Sequence, residues 1–267
     1  MRESNQGLIP VAPVRPVAPY LGGKRGLAKT IIDQIKHVPH TVYVEPFTGM
    51  GGVFLRRPFK VRHEVINDLN GEVSNLFRIL QRHYVPLMDM LRWQITGREQ
   101  FERLRSADVR SLTDLERAAR FLYLQRVAFG GNPKWTAFGV ATSTSGRFDV
   151  AKLGPILEDV HARLSGVVIE CLPWQDIIRR YDKAETLFYL DPPYWGNEKD
   201  YKAPFSRDQF EQMADMLASI KGRFILSLND RPEVREMFKA FQIRGVNVNY
   251  TINPHAAVKR GEVLISN

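Results

Sequence analysis

The sequence predicts an α/β fold, in which a doubly wound sheet is interleaved with helices. Three observations carry this prediction: short apolar runs recur along the chain, most of them lack alternating polar residues, and helical patterns separate the later ones. Strands that are buried on both faces are apolar throughout, as in a parallel sheet covered by helices. Ligands of such sheets bind at the carboxyl ends of the strands, so the polar residues directly after each run are candidate site residues.

Four prolines open the chain at intervals of three residues, at Pro10, Pro13, Pro16 and Pro19. Each proline fixes its own φ and disfavours a helical conformation in the residue before it. We therefore expect residues 1–19 to form an extended leader, and we interpret it as solvated.

The predicted helices and strands of the sheet follow in order. Apolar residues spaced by four and three from Leu27 to Val38 predict a first helix, which Pro39 ends. Ser206 and Gln209 have the spacing of a capping box and predict a later helix over residues 206–220. Five apolar runs are predicted to be strands, at residues 41–44, 63–67, 167–171, 187–190 and 224–228.

One segment interrupts this alternation. Between Arg92 and Arg126 the helical pattern carries eight arginines and five carboxylates, a local excess of three positive charges. A Gly-, Thr- and Ser-rich stretch with Trp135 and Phe138 follows and predicts a β-hairpin or a long loop. The predicted parts of the chain are a leader at residues 1–19, a main domain at 20–79 and 153–267, and an inserted small domain at 80–152.

Composition excludes several classes of protein. The 267 residues include 38 Lys and Arg against 29 Asp and Glu, so the formal charge is +9, which weakly favours a polyanionic partner. The single cysteine, Cys171, excludes a disulfide scaffold and a cysteine-based zinc site. The apolar runs are far shorter than the ~20 residues of a membrane span, and the first ten residues lack a signal-peptide core. We expect a cytoplasmic protein with no membrane association.

The first motif is EPFTGMGG, which begins at Glu45 after a predicted strand. Glycines at a strand-to-helix turn let the backbone approach a ligand closely. Asp68 follows the next strand, at the distance where an acidic residue holds the ribose hydroxyls of a nucleotide. The motif indicates a nucleotide-type cofactor; the alternative is that its glycines only turn the chain.

The second motif is DPPY, which begins at Asp191 directly after an apolar run. The prolines donate no hydrogen bonds and make the turn rigid. The Asp191 carboxylate and the Pro192 carbonyl are two acceptors, and Tyr194 supplies a flat ring. This set suits a planar ring with an exocyclic amine, although a purely structural turn is the alternative.

A third motif, PYLGGK, ends at Lys24 just before the first helix. The positive end of a helix dipole favours anions, and the lysine adds charge. By itself this motif is weak evidence.

Taken together, the three motifs resemble those of the Dam-type DNA adenine methyltransferases. The family's motif order is PYxGGK, EPFxGxG, an acidic residue after the second strand, an insert, and then DPPY. The matching parts of this chain are residues 20–24, residues 45–51, Asp68 and residues 191–194. The resemblance extends to FLYLQR at 121–126, GRFDV at 146–150 and the tail GEVLISN at 261–267. Within the family, the chain is most similar to prophage-borne members. Two departures are Gln125, where the family usually has Asn, and residues 132–145, which are longer than the family's GATC-reading hairpin.

The resemblance implies a seven-stranded methyltransferase fold, S-adenosylmethionine as cofactor, no metal, and double-stranded DNA as partner of a monomer or weak dimer. It implies methyl transfer to N6 of a flipped-out adenine, with Asp191, Pro192 and Tyr194 as catalytic residues. The implied cofactor-binding residues are Tyr20, Lys24, Glu45, Phe47, Gly49, Gly51, Asp68 and Asp191. The implied DNA-binding residues are Arg98, Arg120, Arg126, Lys134, Trp135 and Arg147.

Alternatives stay open at this point. The same pair of acceptors would bind N4 of cytosine, an RNA base or a protein glutamine amide, and a catalytically silent DNA-binding homologue could keep the fold. Individual arginines could lie on solvated helix faces, and Trp135 could pack in a core.

Overall fold

The computed structural model describes residues 7–20, 22–129, 134–135, 137–139, 146–196, 205–253 and 256–267, with the backbone alone for 247–253 and 256–260. The strands are β1 (Ile9–Pro10), β2 (Val42–Glu45), β3 (Phe59–Lys60), β4 (His63–Asn67), β5 (Val168–Glu170), β6 (Thr186–Leu190), β7 (Arg223–Asn229), β8 (Gln242–Asn253) and β9 (Ala256–Ser266). The α-helices are α1 (Ala28–His37), α2 (Gly71–Arg82), α3 (Tyr84–Leu91), α4 (Arg98–Ser106), α5 (Asp114–Val127), α6 (Val150–Arg163), α7 (Trp174–Tyr181), α8 (Asp208–Ser219) and α9 (Pro232–Met237).

Seven strands form the main sheet in the order β5-β4-β2-β6-β7-β9-β8. The first five are parallel, and β9 pairs antiparallel with β7 and β8. The predicted doubly wound α/β class and its seven strands are confirmed. The five apolar runs coincide with β2, β4, β5, β6 and β7, because strands covered by helices on both faces exclude polar side chains.

The sheet order places the candidate site. Strand β2 lies at the centre, between β4 and β6, so the residues that follow these three strands meet at one edge of the sheet. Crevices at the carboxyl ends of parallel strands are the usual ligand sites of this architecture. Across the described residues, no helix reaches the length and apolarity that crossing a membrane requires.

In the described part of the leader, residues 7–19, seven residues are exposed and three are buried, so the interpretation of a solvated leader is wrong for the buried ones. Its backbone pairs with the segment after the first glycine turn: Val11 N–H donates to the Pro58 carbonyl at 3.1 Å, and Val14 N–H donates to the Leu55 carbonyl at 2.8 Å. Val14 and Val17 are buried in the core. Apolar residues between the prolines make this burial favourable.

The predicted capping box is also wrong. Helix α8 begins at Asp208 with Arg207 as its N-cap residue, and no side chain caps it. The side-chain carbonyl of Gln209 accepts a hydrogen bond from Trp174 Nε1 at 2.9 Å. That oxygen therefore serves packing against α7 rather than the start of its own helix.

The inserted segment shares one apolar core with the sheet. Helix α5 packs on α2 and α3, and α4 packs on α5. Phe101, Phe121 and Phe148 from the insert belong to the same buried cluster as Ile31 of α1 and Leu187 of β6. The described part of the insert is therefore attached to the main domain by continuous packing, and the boundaries at residues 80 and 152 stay a prediction.

Candidate active site

A cavity of about 1010 Å³ opens at the carboxyl edge of the sheet. Residues from all three sequence motifs line it, because β2, β4 and β6 all end there. The predicted site residues on its wall are Tyr20, Lys24, Glu45, Phe47, Gly49, Asp68, Asp191 and Arg126.

The glycine turn after β2 is tied to the end of β4. Gly49 N–H donates to Oδ2 of Asp68 at 2.8 Å, and Asn70 N–H donates to Oδ1 at 2.9 Å. Gly49 has φ +51°, and a Cβ at this position would lie 3.1 Å from the Tyr20 ring. A side chain at position 49 would therefore strain the backbone and crowd Tyr20. These contacts bring the first and third motifs together with Asp68.

The other predicted glycine has a packing role. Gly51 is buried with φ +72°, and a Cβ there would lie 2.9 Å from Cγ of Leu55. The missing side chain thus lets the turn pack on its own following segment.

The side chain of Lys24 reaches across the cavity to the end of β6. Its ammonium lies 2.8 Å from Oδ1 of Asp191 and 3.6 Å from Oε2 of Glu262, which is on β9. It also donates a hydrogen bond to the Tyr194 hydroxyl and lies 4.2 Å from the centre of the Tyr194 ring. A buried amine is therefore already held by the carboxylate and the aromatic ring of the DPPY segment.

Strand β7 fixes the geometry of that segment. Ser227 Oγ donates to Oδ1 of Asp191 at 3.0 Å and lies 3.0 Å from the Tyr189 hydroxyl. Asn229 accepts a hydrogen bond from Trp195 N–H at 3.0 Å and donates one to the Trp195 carbonyl at 2.9 Å. Residues 191–195 are thus held at Asp191 and at Trp195 by side chains that sequence reasoning did not single out. In the sequence, Ser227 and Asn229 could have been found as the polar residues at the end of the apolar run FILSLN.

The two carboxyl groups of this edge differ in environment. Burial raises the pKa of Asp191 to about 6, and the Lys24 ammonium opposes that shift. Burial raises the pKa of Glu45 to about 8, opposed mainly by the hydrogen bond that Tyr43 donates to it at 2.6 Å. At neutral pH Asp191 is largely an ionised acceptor, whereas Glu45 is largely protonated.

The remaining predicted residues of the main domain lie near the same edge. Pro192 is buried, and Tyr194 is half-buried beside Lys24. Phe47 makes an edge-to-face contact with Phe205, with ring centres 5.9 Å apart, and both rings line the cavity. The apolar side of the cavity is completed by Trp174.

Two of the residues predicted to bind DNA are instead buried in the insert. Trp135 is 3% exposed, and its indole N–H donates to Oε1 of Gln125 at 3.1 Å. Arg120 is 5% exposed and donates to the carbonyls of Leu104 and Arg105. The alternative of core packing is therefore correct for Trp135, and Arg120 of α5 binds the carbonyl groups at the C-terminal end of α4.

The other predicted DNA contacts are at least partly accessible. Arg98 and Lys134 are exposed. Arg126 is half-buried and donates to the Val17 carbonyl at 2.7 Å, while Arg147 donates to the Ala128 carbonyl at 3.3 Å. Most of the predicted hairpin at 132–145 lies outside the described residues.

Sequence reasoning missed several residues of this surface. Arg15, Arg25 and Arg56 line the cavity, and Phe129, directly after α5, is 66% exposed. No motif marked them. Within the described residues, no group of three or more His, Cys, Asp or Glu side chains is arranged to hold a metal ion.

Comparison with known proteins places this geometry in context. A family model described as D12 class N6 adenine-specific DNA methyltransferase matches residues 20–252. The Type II methyltransferase M1.LlaDCHI of Lactococcus lactis subsp. cremoris is 26% identical over 276 residues, covering 95% of each chain. The DNA adenine methylase of Escherichia coli K12 is 26% identical over 265 residues, covering 90% of each chain. Among solved structures, the rRNA methyltransferase aviRa from Streptomyces viridochromogenes is 14% identical with a TM-score of 0.38, covering 97% of this chain and 87% of that one.

Proposed function

This chain belongs to the D12 class N6 adenine-specific DNA methyltransferases, and from that premise we propose how its residues hold the methyl donor and the target base. The family description specifies a methyl group transferred to N6 of adenine in DNA, which favours adenine over the cytosine, RNA and protein alternatives. The division of roles among residues is our proposal.

We propose that S-adenosylmethionine binds in the cavity over the glycine turn. The cavity fits such a ligand: its volume of about 1010 Å³ is large for a small-molecule site, and the absence of a side chain at Gly49 lets the turn pack closely on Tyr20 at the cavity wall. Asp68 would hold the ribose hydroxyls with the lone pairs that Gly49 and Asn70 leave free. When bound, the cofactor supplies an electrophilic methyl group on a sulfonium.

The adenine amine would take the place that the Lys24 ammonium has in the structure. The Asp191 carboxylate and the Pro192 carbonyl would accept its two N–H groups, and the Tyr194 ring would stack on the base, at about 1–3 kcal/mol per base. Hydrogen bonds to both N–H groups draw the nitrogen lone pair out of the ring and make it more nucleophilic. Transfer of the methyl group to this nitrogen depends on the positioning of the two groups rather than on a strong base, and we propose no metal for it.

The base cannot reach this cavity while it is stacked in a duplex. We therefore propose that the target adenine is flipped out, at an unstacking cost of a few kcal/mol. Lys24 must withdraw from Asp191 before the base enters. We assign target recognition to residues 80–152 and catalysis to the main domain, in a monomer or weak dimer.

The observation that carries this proposal is the contact between Lys24, Asp191 and Tyr194. In that contact the carboxylate and the ring of DPPY together hold a nitrogen that carries N–H donors, which supports the assignment of the target amine to the same place. A catalytically silent homologue would have no need to keep Asp191 half-buried, hydrogen-bonded to Ser227 and lining the cavity.

The test is transfer of radiolabelled methyl groups from S-adenosylmethionine to unmethylated duplex DNA, followed by identification of the modified nucleoside. We expect N6-methyladenine with the wild type and less than a tenth of its turnover with Asp191→Ala. Asp176→Ala, on the exposed face of α7, is the matched control and should keep full turnover. A tenth of turnover corresponds to only ~1.4 kcal/mol, so a more active Asp191→Ala enzyme would refute the role of Asp191. Methylated cytosine as the product would overturn the adenine assignment.

A further inference from the structure

Most arginines of the insert already interact with other groups of the protein. Four of the eight arginines between positions 92 and 126 form ion pairs with carboxylates: Arg92, Arg105, Arg110 and Arg117. Two more, Arg120 and Arg126, donate to backbone carbonyls. Six of these eight arginines thus already bind a carboxylate or a carbonyl of the protein.

A second group of arginines lies on the main domain, at the cavity. Arg15 of the leader, Arg25 before α1 and Arg56 after the glycine turn all line it. Arg15 and Arg25 are exposed, and Arg56 is half-buried. Among the residues that the structure describes, no carboxylate lies within ion-pair distance of any of the three.

Local geometry holds two of these arginines near each other. Arg56 Nη1 donates to the Gly52 carbonyl at 2.6 Å, which fixes its side chain along the turn. A Cβ built on Gly52 would lie 3.4 Å from the Lys24 amide nitrogen and 3.7 Å from Arg56 Nη1, so the PYLGGK loop lies directly on this turn. Arg25 is the next residue of that loop. Burial, and then the charge of Arg25, lowers the pKa of Arg56.

Arg25 and Arg56 thus put two positive charges on adjacent segments, and these charges repel each other because arginine stays protonated in proteins. An arrangement of this kind becomes favourable when an anion lies between or beside the charges. The guanidinium fork suits phosphate oxygens in particular, since it can donate two parallel hydrogen bonds.

We propose that Arg15, Arg25 and Arg56 form a clamp for the backbone phosphates of the DNA strand that carries the target base. The proposal rests on the assignment of Asp191 as the site of that base. A flipped nucleotide stays joined to its strand, so its flanking phosphates must lie at the mouth of the cavity that takes the base. Lys24 points inward to Asp191, and its neighbour Arg25 is exposed at that mouth.

Binding of a fluorescein-labelled duplex, measured by anisotropy over a series of KCl concentrations, tests the clamp without requiring catalysis. The variants are Arg25→Gln, Arg56→Gln and the double substitution. Arg223→Gln is the matched control, because Arg223 is exposed at the opposite, amino-terminal end of β7. Each phosphate contact contributes about 0.9 to the slope of log K against log salt.

We expect each single substitution to lower the slope by about one, the double substitution by about two, and the control not at all. Calorimetry with S-adenosylmethionine should give the wild-type Kd for Arg25→Gln, and thermal melting should show that the variants are folded. An unchanged salt slope would overturn the clamp. So would a loss of cofactor binding with unchanged DNA binding, which would assign these arginines to the cofactor's carboxylate. Asp191→Ala should keep the wild-type slope and lose methyl transfer, so a failure of the catalytic assignment is distinguishable from a failure of the clamp.

Discussion

The ammonium of Lys24 lies 2.8 Å from Oδ1 of Asp191, so the PYLGGK motif contacts the DPPY motif at the cavity. Glu262 adds a second negative charge 3.6 Å from the same ammonium. The lysine thus compensates the buried carboxylates at the site where the target amine is proposed to bind. Displacement of the ammonium by the neutral amine of an incoming base would take this positive charge away from the carboxylates, so opening the site costs free energy.

The Lys24 contact predicts a pH effect. Burial raises the pKa of Asp191 to about 6 and Lys24 opposes this, so kcat/KM of the wild type should fall as the pH drops through about 6 and the acceptor becomes protonated. Lys24→Met removes the opposing charge, so the fall of kcat/KM on the acidic side of the pH profile (its acidic limb) should move to higher pH. Lys24→Arg keeps the charge and should leave the limb near its original position. A limb at the same pH in Lys24→Met would show that the lysine does not control the ionisation of Asp191.

Asp68 is predicted to control cofactor binding. Asp68→Ala removes the proposed partner of the ribose hydroxyls and should weaken S-adenosylmethionine binding by roughly 1.5–3 kcal/mol, measured by calorimetry. Asp68→Asn keeps one oxygen acceptor and should lose less. An unchanged Kd for both variants contradicts the assignment.

The same carboxylate predicts a pH dependence of cofactor binding. Burial raises the pKa of Asp68 to about 6, so protonation should weaken the proposed bond as the pH falls below that value. Calorimetry between pH 5 and 8 should show the Kd rising at the acidic end in the wild type, while Asp68→Asn stays flat. If both proteins show the same pH profile, another group is responsible.

Gln125 is predicted to matter for stability, because it bonds two parts of the chain at once. Its amide donates to the Pro19 carbonyl at 2.8 Å and accepts from Trp135 Nε1 at 3.1 Å, and its side chain is fully buried. Gln125→Leu removes both hydrogen bonds and should lower the free energy of unfolding by about 2 kcal/mol or more. Gln125→Asn, the residue usual in the family, is one methylene shorter and should also destabilise this chain. Gln212→Leu on the exposed face of α8 should change stability by less than about 0.5 kcal/mol.

Target choice is predicted to depend on residues 132–145. Base reading in the major groove depends on which donors a segment delivers, and this segment is longer than the family's GATC-reading hairpin. Shortening it should change which adenines are methylated, while binding to random DNA changes little. Single-molecule sequencing of DNA modified by each protein is the measurement. Identical target sites would place the reading element elsewhere, and wild-type methylation of GATC alone would contradict the expectation of a different site.

The sequence by itself determined the five parallel strands of the sheet and the edge of the sheet at which the residues after them meet. Burial on both faces of a parallel sheet leaves an apolar run that is visible without a structure, and the polar residues after each run must then lie at one edge. Asp68 and Asp191 were found in this way. The same reasoning failed for the leader, because its prolines indicate an extended backbone but not whether Val14 and Val17 lie against the core.

Only the tertiary structure decided which charges are paired. Arg117 and Arg25 look alike in the sequence, yet Arg117 contacts Glu72 of α2, whereas Arg25 is exposed and lines the cavity. In the sequence, Trp135 is likewise only an aromatic residue in a polar stretch. In the structure, Gln125 accepts a hydrogen bond from its indole N–H. The physical reason is that ion pairs and buried hydrogen bonds depend on distances of 3–4 Å between residues far apart in the chain, and on the water removed around them, neither of which local sequence specifies.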